Sequence, residues 1–227
     1  MKFFWGLLQR RERTCLTWRG RFVMLALVAL ALVGFVRGIH PFLAVHESKP
    51  GGYLIVEGWA PDYVFDTVTN EFAKNHYKKI YITGNPIDKG APLMEYKSAA
   101  ELGAATLAKM GMDTNCFEAV PAPFVERDRT YTSALTLKKK LLAEGKLPAT
   151  LNIITLDAHA RRTRLLAGQV YGADATIGVL AIPCRDYDEA HWWRSSPGVR
   201  TIMGELLAYG YARFLFSKSD VEDGLPR

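Results

Sequence analysis

Leu151-Asn152-Ile153-Ile154-Thr155-Leu156-Asp157-Ala158-His159-Ala160-Arg161-Arg162-Thr163-Arg164-Leu165 is the stretch on which the fold turns. Its apolar, β-branched opening predicts a short buried strand, and a polar turn follows. From His159 onward the spacing predicts a helix. Such a unit gathers one histidine and up to three guanidinium groups at the carboxyl end of a strand, where open α/β sheets bind ligands. An anionic ligand is the first expectation.

Working outward, the same alternation recurs. Lys49-Pro50-Gly51-Gly52 reads as a linker-like turn before a strand over Tyr53–Glu57, and Asp62–Asn75 has helical spacing. Lys79–Thr83 is the next strand, followed by an alanine-rich helix from about Met94 to Met110. Cys116–Val120 and Thr130–Glu144 repeat the pair, and Ile177–Ile182 closes the series after the opening stretch. A regular β-α alternation predicts an α/β class. The expected architecture is a Rossmann-like three-layer αβα sandwich, with a mainly parallel five-stranded sheet in the order 3-2-1-4-5. Right-handed crossovers with one reversal of winding give that order directly. The tail helix over Gly198–Phe216 is strongly apolar and is expected either to pack on the domain or to lie against a membrane.

The formal charge of +6 is not spread evenly. Lys2, Arg10, Arg11, Arg13, Arg19 and Arg21 stand against Glu12 in the first 21 positions, which leaves the other 206 residues close to neutral. No global basic field exists to hold a polyanion, so nucleic acid is not an expected partner. The basic head precedes Phe22–Val36, a run without charge, and a second apolar patch reaches Val45. Residues 22–45 suffice to cross a bilayer. The sequence after them offers no convincing small-residue cleavage pattern, so a retained anchor is preferred over a cleaved signal. The positive-inside rule then puts residues 1–21 in the cytoplasm and the domain outside, in the periplasm of a bacterium with two membranes. The expected divisions are a basic head (1–21), an anchor (22–45), a linker (46–52), a domain (53–216) and a polar tail (217–227). Cys15, Cys116 and Cys184 make no disulfide framework, since the strands next to Cys116 and Cys184 should occupy opposite sheet edges.

In this architecture the loops after each strand share one rim. They carry Glu57, Asn85, Arg127, Asp128, Arg129, Thr130, Asp157, His159, Arg161 and Arg162. Arginine forks suit phosphate or carboxylate, and the amides opening a helix after His159 favour the same charge. The three arginines also describe a solvated helix face: 161 and 164 share a side and 162 points elsewhere, so one ligand cannot use all three. His159 is a candidate proton donor or acceptor, with Glu57 or Asp157 to orient it. Ser98 and Glu101 share one helix face, as do Thr130 and Ser133, and Thr130 also fits a helix cap. Trp192 to Ser196 either stacks on a sugar or plugs the sheet edge.

Several chemistries find no support. Gly-x-Gly-x-x-Gly after the first strand, the Gly-x-x-x-x-Gly-Lys-Ser/Thr loop and the Gly-x-Ser-x-Gly elbow are all missing, and His159 has no metal-ligand spacing around it. No motif names a cofactor.

Val56-Glu57-Gly58, Ile82-Thr83-Gly84, Ser98 to Glu101, Arg129-Thr130 to Ser133-Ala134, and Thr155 followed by His159-Ala160-Arg161-Arg162 stand in this order behind an N-terminal anchor. The pattern resembles the ElyC/SanA/YdcF family, the domain of unknown function 218, over about residues 53–182. The resemblance implies a Rossmann-like fold and, for anchored members, a role in bacterial envelope biogenesis or barrier function with no settled reaction. Carried over position by position, it implies a pocket of Glu57, Gly84, Glu101, Thr130, Ser133, Thr155, His159 and Arg162. The chain departs from the pattern at Trp59, where many members have a second glycine, and in Trp192 to Arg200, beyond the shared core.

The expectation is therefore a single-pass inner-membrane protein whose domain binds, and in one reading processes, a small anionic envelope intermediate, phosphorylated or lipid-linked. His159 and Glu57 are its expected catalytic pair. Gly84, Ser98, Glu101, Arg129, Thr130, Ser133, Thr155, Arg161 and Arg162 are its expected ligand-binding residues. A reaction, if there is one, would be that of a hydrolase or transferase on a phosphorylated precursor. The alternatives are a non-catalytic envelope scaffold or sensor, and a nucleotide-type ligand in the cleft.

Overall fold

The computed structural model describes residues 2–3, 8–9, 14–88, 93 and 95–222. The expected helix start at Met94, nine positions of the basic head and the last five positions of the tail lie outside the described residues. The chain divides into two units, residues 1–38 and residues 39–227.

The first unit consists mainly of α1 (Trp18–Leu43), whose last turn belongs to the second. No charge interrupts α1 from Phe22 to Val36, and its side chains there are almost all exposed. Its 26 residues rise about 39 Å, more than the ~30 Å hydrocarbon core of a bilayer. The helix is long and apolar enough to cross a membrane. Pro41 sits in its last turn, where a helix is about to end in any case.

The second unit is the expected sandwich. Its parallel strands are β1 (Tyr53–Glu57), β2 (Ile80–Gly84), β3 (Phe117–Pro121), β4 (Thr150–Leu156) and β5 (Thr176–Ile182), in the spatial order β3-β2-β1-β4-β5. In register, Val56 lies opposite both Ile82 and Ile154, and Glu57 opposite Thr83. β1 and β2 are buried at every position, as expected of a parallel sheet covered on both faces. Tyr53, Ile55, Tyr81, Leu151 and Ile153 pack with α4 (Arg129–Ala143) and α5 (Ala160–Tyr171). Leu54, Val56, Ile80, Ile82 and Ile154 point the other way, against α2 (Asp62–Lys74) and α3 (Ala99–Lys109). The period-two alternation within each strand thus divides one apolar run into two cores. α6 (Ser196–Phe214) packs beside α5. Cys116 and Cys184 flank strands at opposite edges, and all three cysteines are free thiols.

Two boundaries differ from the sequence reading. α3 begins five residues later than expected, because Ser98 and Glu101 form a capping box: Ser98 Oγ accepts from Glu101 N at 3.2 Å, and Glu101 Oε2 accepts from Ser98 N at 2.9 Å. Residues 46–52, read as a linker, are pinned along the edge of β5. Glu47 and Val179 exchange backbone hydrogen bonds of 2.7 and 2.9 Å. Asn152, fully buried, accepts from Lys49 N at 2.7 Å and donates to Lys49 O at 2.9 Å and to Gly51 O at 3.1 Å. Gly52 closes the turn at φ +80, where an added Cβ would lie 2.0 Å from Thr150 O. This antiparallel segment covers a sheet edge that would otherwise be free to pair.

Candidate functional site

The winding reverses between β1 and β4, and the crevice beyond their carboxyl ends is where open α/β sheets hold ligands. A cavity of about 710 Å³ opens there. The last residue of β1, Glu57, and Thr155 near the end of β4 meet at its floor, with the Thr155 hydroxyl donating to Glu57 Oε2. After Leu156 the chain turns through Asp157, whose φ of +44 is a left-handed conformation that short polar side chains tolerate better than most. The turn brings His159 over the strand end and starts α5, which presents Arg162 one turn later.

His159 is held from three sides. Its Nδ1 lies 3.0 Å from Glu205 Oε1, its Nε2 lies 3.5 Å from Glu57 Oε1, and the Trp59 ring stands edge-on with its centroid 5.1 Å away. Arg162 grips Glu205 with both arms, Nε to Oε2 at 2.9 Å and Nη2 to Oε1 at 3.1 Å. Arg162 Nη2 is also 2.9 Å from His159 Nδ1, so the two donors converge on one carboxylate oxygen. Burial opposes charge on the imidazole, but Glu57 and Glu205 outweigh it and lift His159 to about 9. For Glu205, burial is overcome by His159 and Arg162, which hold it down at about 2. Burial likewise favours a neutral Glu57, and is overcome by the charge of His159, the Thr155 hydroxyl and Arg162, which keep it below the ordinary carboxylate range. The group is therefore an imidazolium between two carboxylates with a guanidinium behind. Its Nε2 is buried without a hydrogen-bond partner.

Of the expected site residues, Glu57, Arg129, Thr130, Ser133, His159 and Arg162 line the cavity. Ser133 Oγ donates to Asn85 Oδ1 at 3.2 Å, bracing that wall, and Arg129 Nη2 is paired with Asp88 at 2.6 Å. Thr155 stands behind Glu57. Gly84 serves by its missing side chain: a Cβ there would lie 2.7 Å from Ala100 N, so glycine lets α3 approach β2. Gly84 and Thr155 thus stand behind the cavity lining, and three more residues, Ser98, Glu101 and Arg161, fall outside it. The Ser98 and Glu101 side chains are engaged in the α3 cap, which turns Glu101 back toward the helix start. Arg161 stacks on the Phe42 ring, 3.9 Å from its centroid, and donates to Phe42 O. Arg164 joins Glu47 at 2.7 Å on the same outer side, so the division of the three arginines follows the helical spacing. Trp192 is buried against Trp193, with ring centroids 5.9 Å apart, in the packing arrangement.

Glu205 was not among the expected residues. It sits on α6, more than forty positions from His159, and is the only acid in that helix. A lone carboxylate in a strongly apolar helix was the available signal. α6 also brings Ala208, Tyr211 and Ala212 to the cavity wall. Asp157, considered as a partner for His159, is engaged elsewhere: His40 Nε2 is 2.7 Å from its Oδ1, and the Tyr187 hydroxyl donates to its Oδ2. Glu189 adds a third ligand-type atom, all three within 4.8 Å of one another. The hydrogen bonds already made there are those of a clamp between α1 and the strand end.

Fold and site together define a Rossmann-like α/β protein with a cavity lined by charged residues at the topological switch point, preceded in sequence by an apolar helix. No family model, characterised protein or solved structure matches the chain.

Proposed function

We propose that the protein is an anchored member of the ElyC/SanA/YdcF family that binds, and in its reactive form processes, a small anionic envelope intermediate, phosphorylated or lipid-linked. In this reading α1 is retained in the bacterial inner membrane, the basic head is cytoplasmic and the domain is periplasmic. The observation that carries it is His159, held between Glu57 and Glu205 at the floor of a switch-point cavity that Arg127, Arg129 and Arg162 also line. Arginines hold the anion. In the reactive form the His159 Nε2 proton, which faces Glu57 Oε1 at 3.5 Å, passes to a leaving oxygen, and Glu57 takes a proton from the incoming nucleophile. Trp59, Tyr211 and Leu166 supply apolar wall for the uncharged part of the ligand.

One observation favours a second reading, binding without turnover. Glu205 occupies both arms of Arg162, so an anion must compete with an internal carboxylate, as in a sensor that trades one ion pair for another. Purified full-length protein incubated with polyprenyl-phosphate sugars distinguishes the readings. Release of phosphate or sugar that is lost in His159→Ala supports the enzyme, and saturable binding without release supports the sensor. Ligand binding and function unchanged in both His159→Ala and Arg162→Ala would refute the site altogether.

A further inference from the structure

We infer that the outward face of α6 is a docking surface for an anionic lipid bilayer, seated in its headgroup layer. That role goes beyond the function proposed above and is independent of what the cavity binds. Every residue of the face belongs to the second unit of the chain.

α6 is apolar on both of its sides. At about 100° per residue, Gly198, Ile202, Glu205 and Ala212 share one side and face the domain, where Glu205 meets Arg162. Val199, Met203, Leu207 and Phe214 share the opposite side and are all exposed, Leu207 at 72% and Phe214 at 79%. From Val199 to Phe214 the one other position in that arc is Gly210, so no polar side chain interrupts the stripe. It runs about 22 Å along the helix, and Leu215, 75% exposed, extends it past the end. α2 shows an ordinary outward face in the same domain: Asp62, Asp66, Asn70 and Lys74 are exposed at the same four-residue spacing. A helix that is apolar all round is normally covered all round, and a continuous exposed apolar stripe marks an interaction surface.

The surrounding charges select the occupant. Between Trp192 and Ser219 the one acid is Glu205, which is turned inward onto Arg162 and His159. The other charges there, Arg194, Arg200, Arg213 and Lys218, are all basic and all exposed. By helical spacing Arg200 and Arg213 border the stripe on opposite margins, and the Arg213 guanidinium lies 5.7 Å from the centroid of the Phe214 ring. Apolar side chains between basic margins match acyl chains beneath anionic headgroups. A second copy of the chain is a poorer fit, because two such faces set basic margin against basic margin. A chain that carries α1, long and apolar enough to cross a membrane, also has a bilayer at hand.

The test uses the full chain in vesicles of phosphatidylethanolamine and phosphatidylglycerol, with Cys15, Cys116 and Cys184 replaced by alanine. A nitroxide is placed on the stripe at Leu207→Cys or Met203→Cys. Met110→Cys and Leu142→Cys are the controls, since both are exposed apolar positions away from α6. The ratio of oxygen to nickel-chelate accessibility is expected to be several-fold higher at 203 and 207 than at 110 and 142, and unchanged when the protein is diluted with lipid. Equal ratios at the four positions overturn the inference. Low accessibility to both reagents at 203 and 207 overturns it too, because another part of the chain then covers the face. So does a difference that disappears on dilution, which would mean contact with a second copy.

Discussion

His40 Nε2 and Asp157 Oδ1 stand 2.7 Å apart in a buried pair that links the last turn of the apolar helix to the end of β4. Two residues before Asp157, Thr155 holds Glu57; two residues after it, His159 enters the cavity. A single turn of chain thus fixes residues 39–43 and the site to the same strand end, with a left-handed backbone at Asp157.

Asp157→Ala should lower unfolding stability by about 3 kcal/mol, since it strands the buried hydrogen-bonding groups of His40 and Tyr187 and puts alanine in a left-handed conformation. Asp157→Asn, which keeps one acceptor and the backbone tolerance, should lose roughly half as much. Denaturant unfolding of the detergent-solubilised full chain measures both, and equal losses would argue against the backbone part of the account.

Glu205→Gln should bring the His159 titration, followed by its ring proton resonances, down from about 9, because one of the two carboxylates that sustain the imidazolium is gone. A titration that does not move would mean that Glu57 alone holds the charge.

Stability should depend on pH in a definite direction. The folded value of His159 is raised above the ordinary 6.5, so its contribution is complete below 6.5 and is lost as the pH rises through about 9. Glu205 is lowered from the ordinary 4.5, so its contribution is present above 4.5 and is lost as the pH falls through about 2. Unfolding free energy should therefore hold a plateau between these limits and decline on the alkaline side as the pH rises through about 9. A curve still rising through the alkaline limb would contradict the buried imidazolium.

Two glycines should respond with opposite sign. Gly84→Ala drives a Cβ to within 2.7 Å of Ala100 N and 2.8 Å of Ala99 Cβ, an overpacking expected to cost about 1–3 kcal/mol. Gly168→Ala, on the exposed side of α5 with nothing within 4 Å of the new Cβ, should gain about 0.5–1 kcal/mol from the helix backbone. Thermal unfolding of the two variants side by side checks the pair.

The fold was legible because it rests on local signals. Apolar runs such as Tyr53–Glu57 and Lys79–Thr83 end in glycine or polar turns, and their regular alternation with helices admits few topologies. His159, Glu57 and Thr130 could be placed on the rim because every strand in such a sheet ends on the same side. What could not be read was pairing across distance. Ser98 and Glu101 carry the same spacing whether they face a cleft or cap a helix, and the capping box prevailed. Arg161 and Arg162 are adjacent in sequence, but the helical turn sends one to Phe42 and the other to Glu205. Glu205 and His40 reach the rim only through tertiary packing of α6 and of the anchor's last turn, and no periodicity encodes that.

The central claim is that the switch-point cavity holds an anion through His159 and Arg162. Native mass spectrometry of the full chain, released from detergent after purification from bacterial membranes, tests it most directly. The account predicts a phosphorylated small molecule retained by the wild-type protein and lost from folded Arg162→Ala and His159→Ala variants. A wild-type protein that carries nothing, or variants that carry the same molecule to the same occupancy, would contradict it.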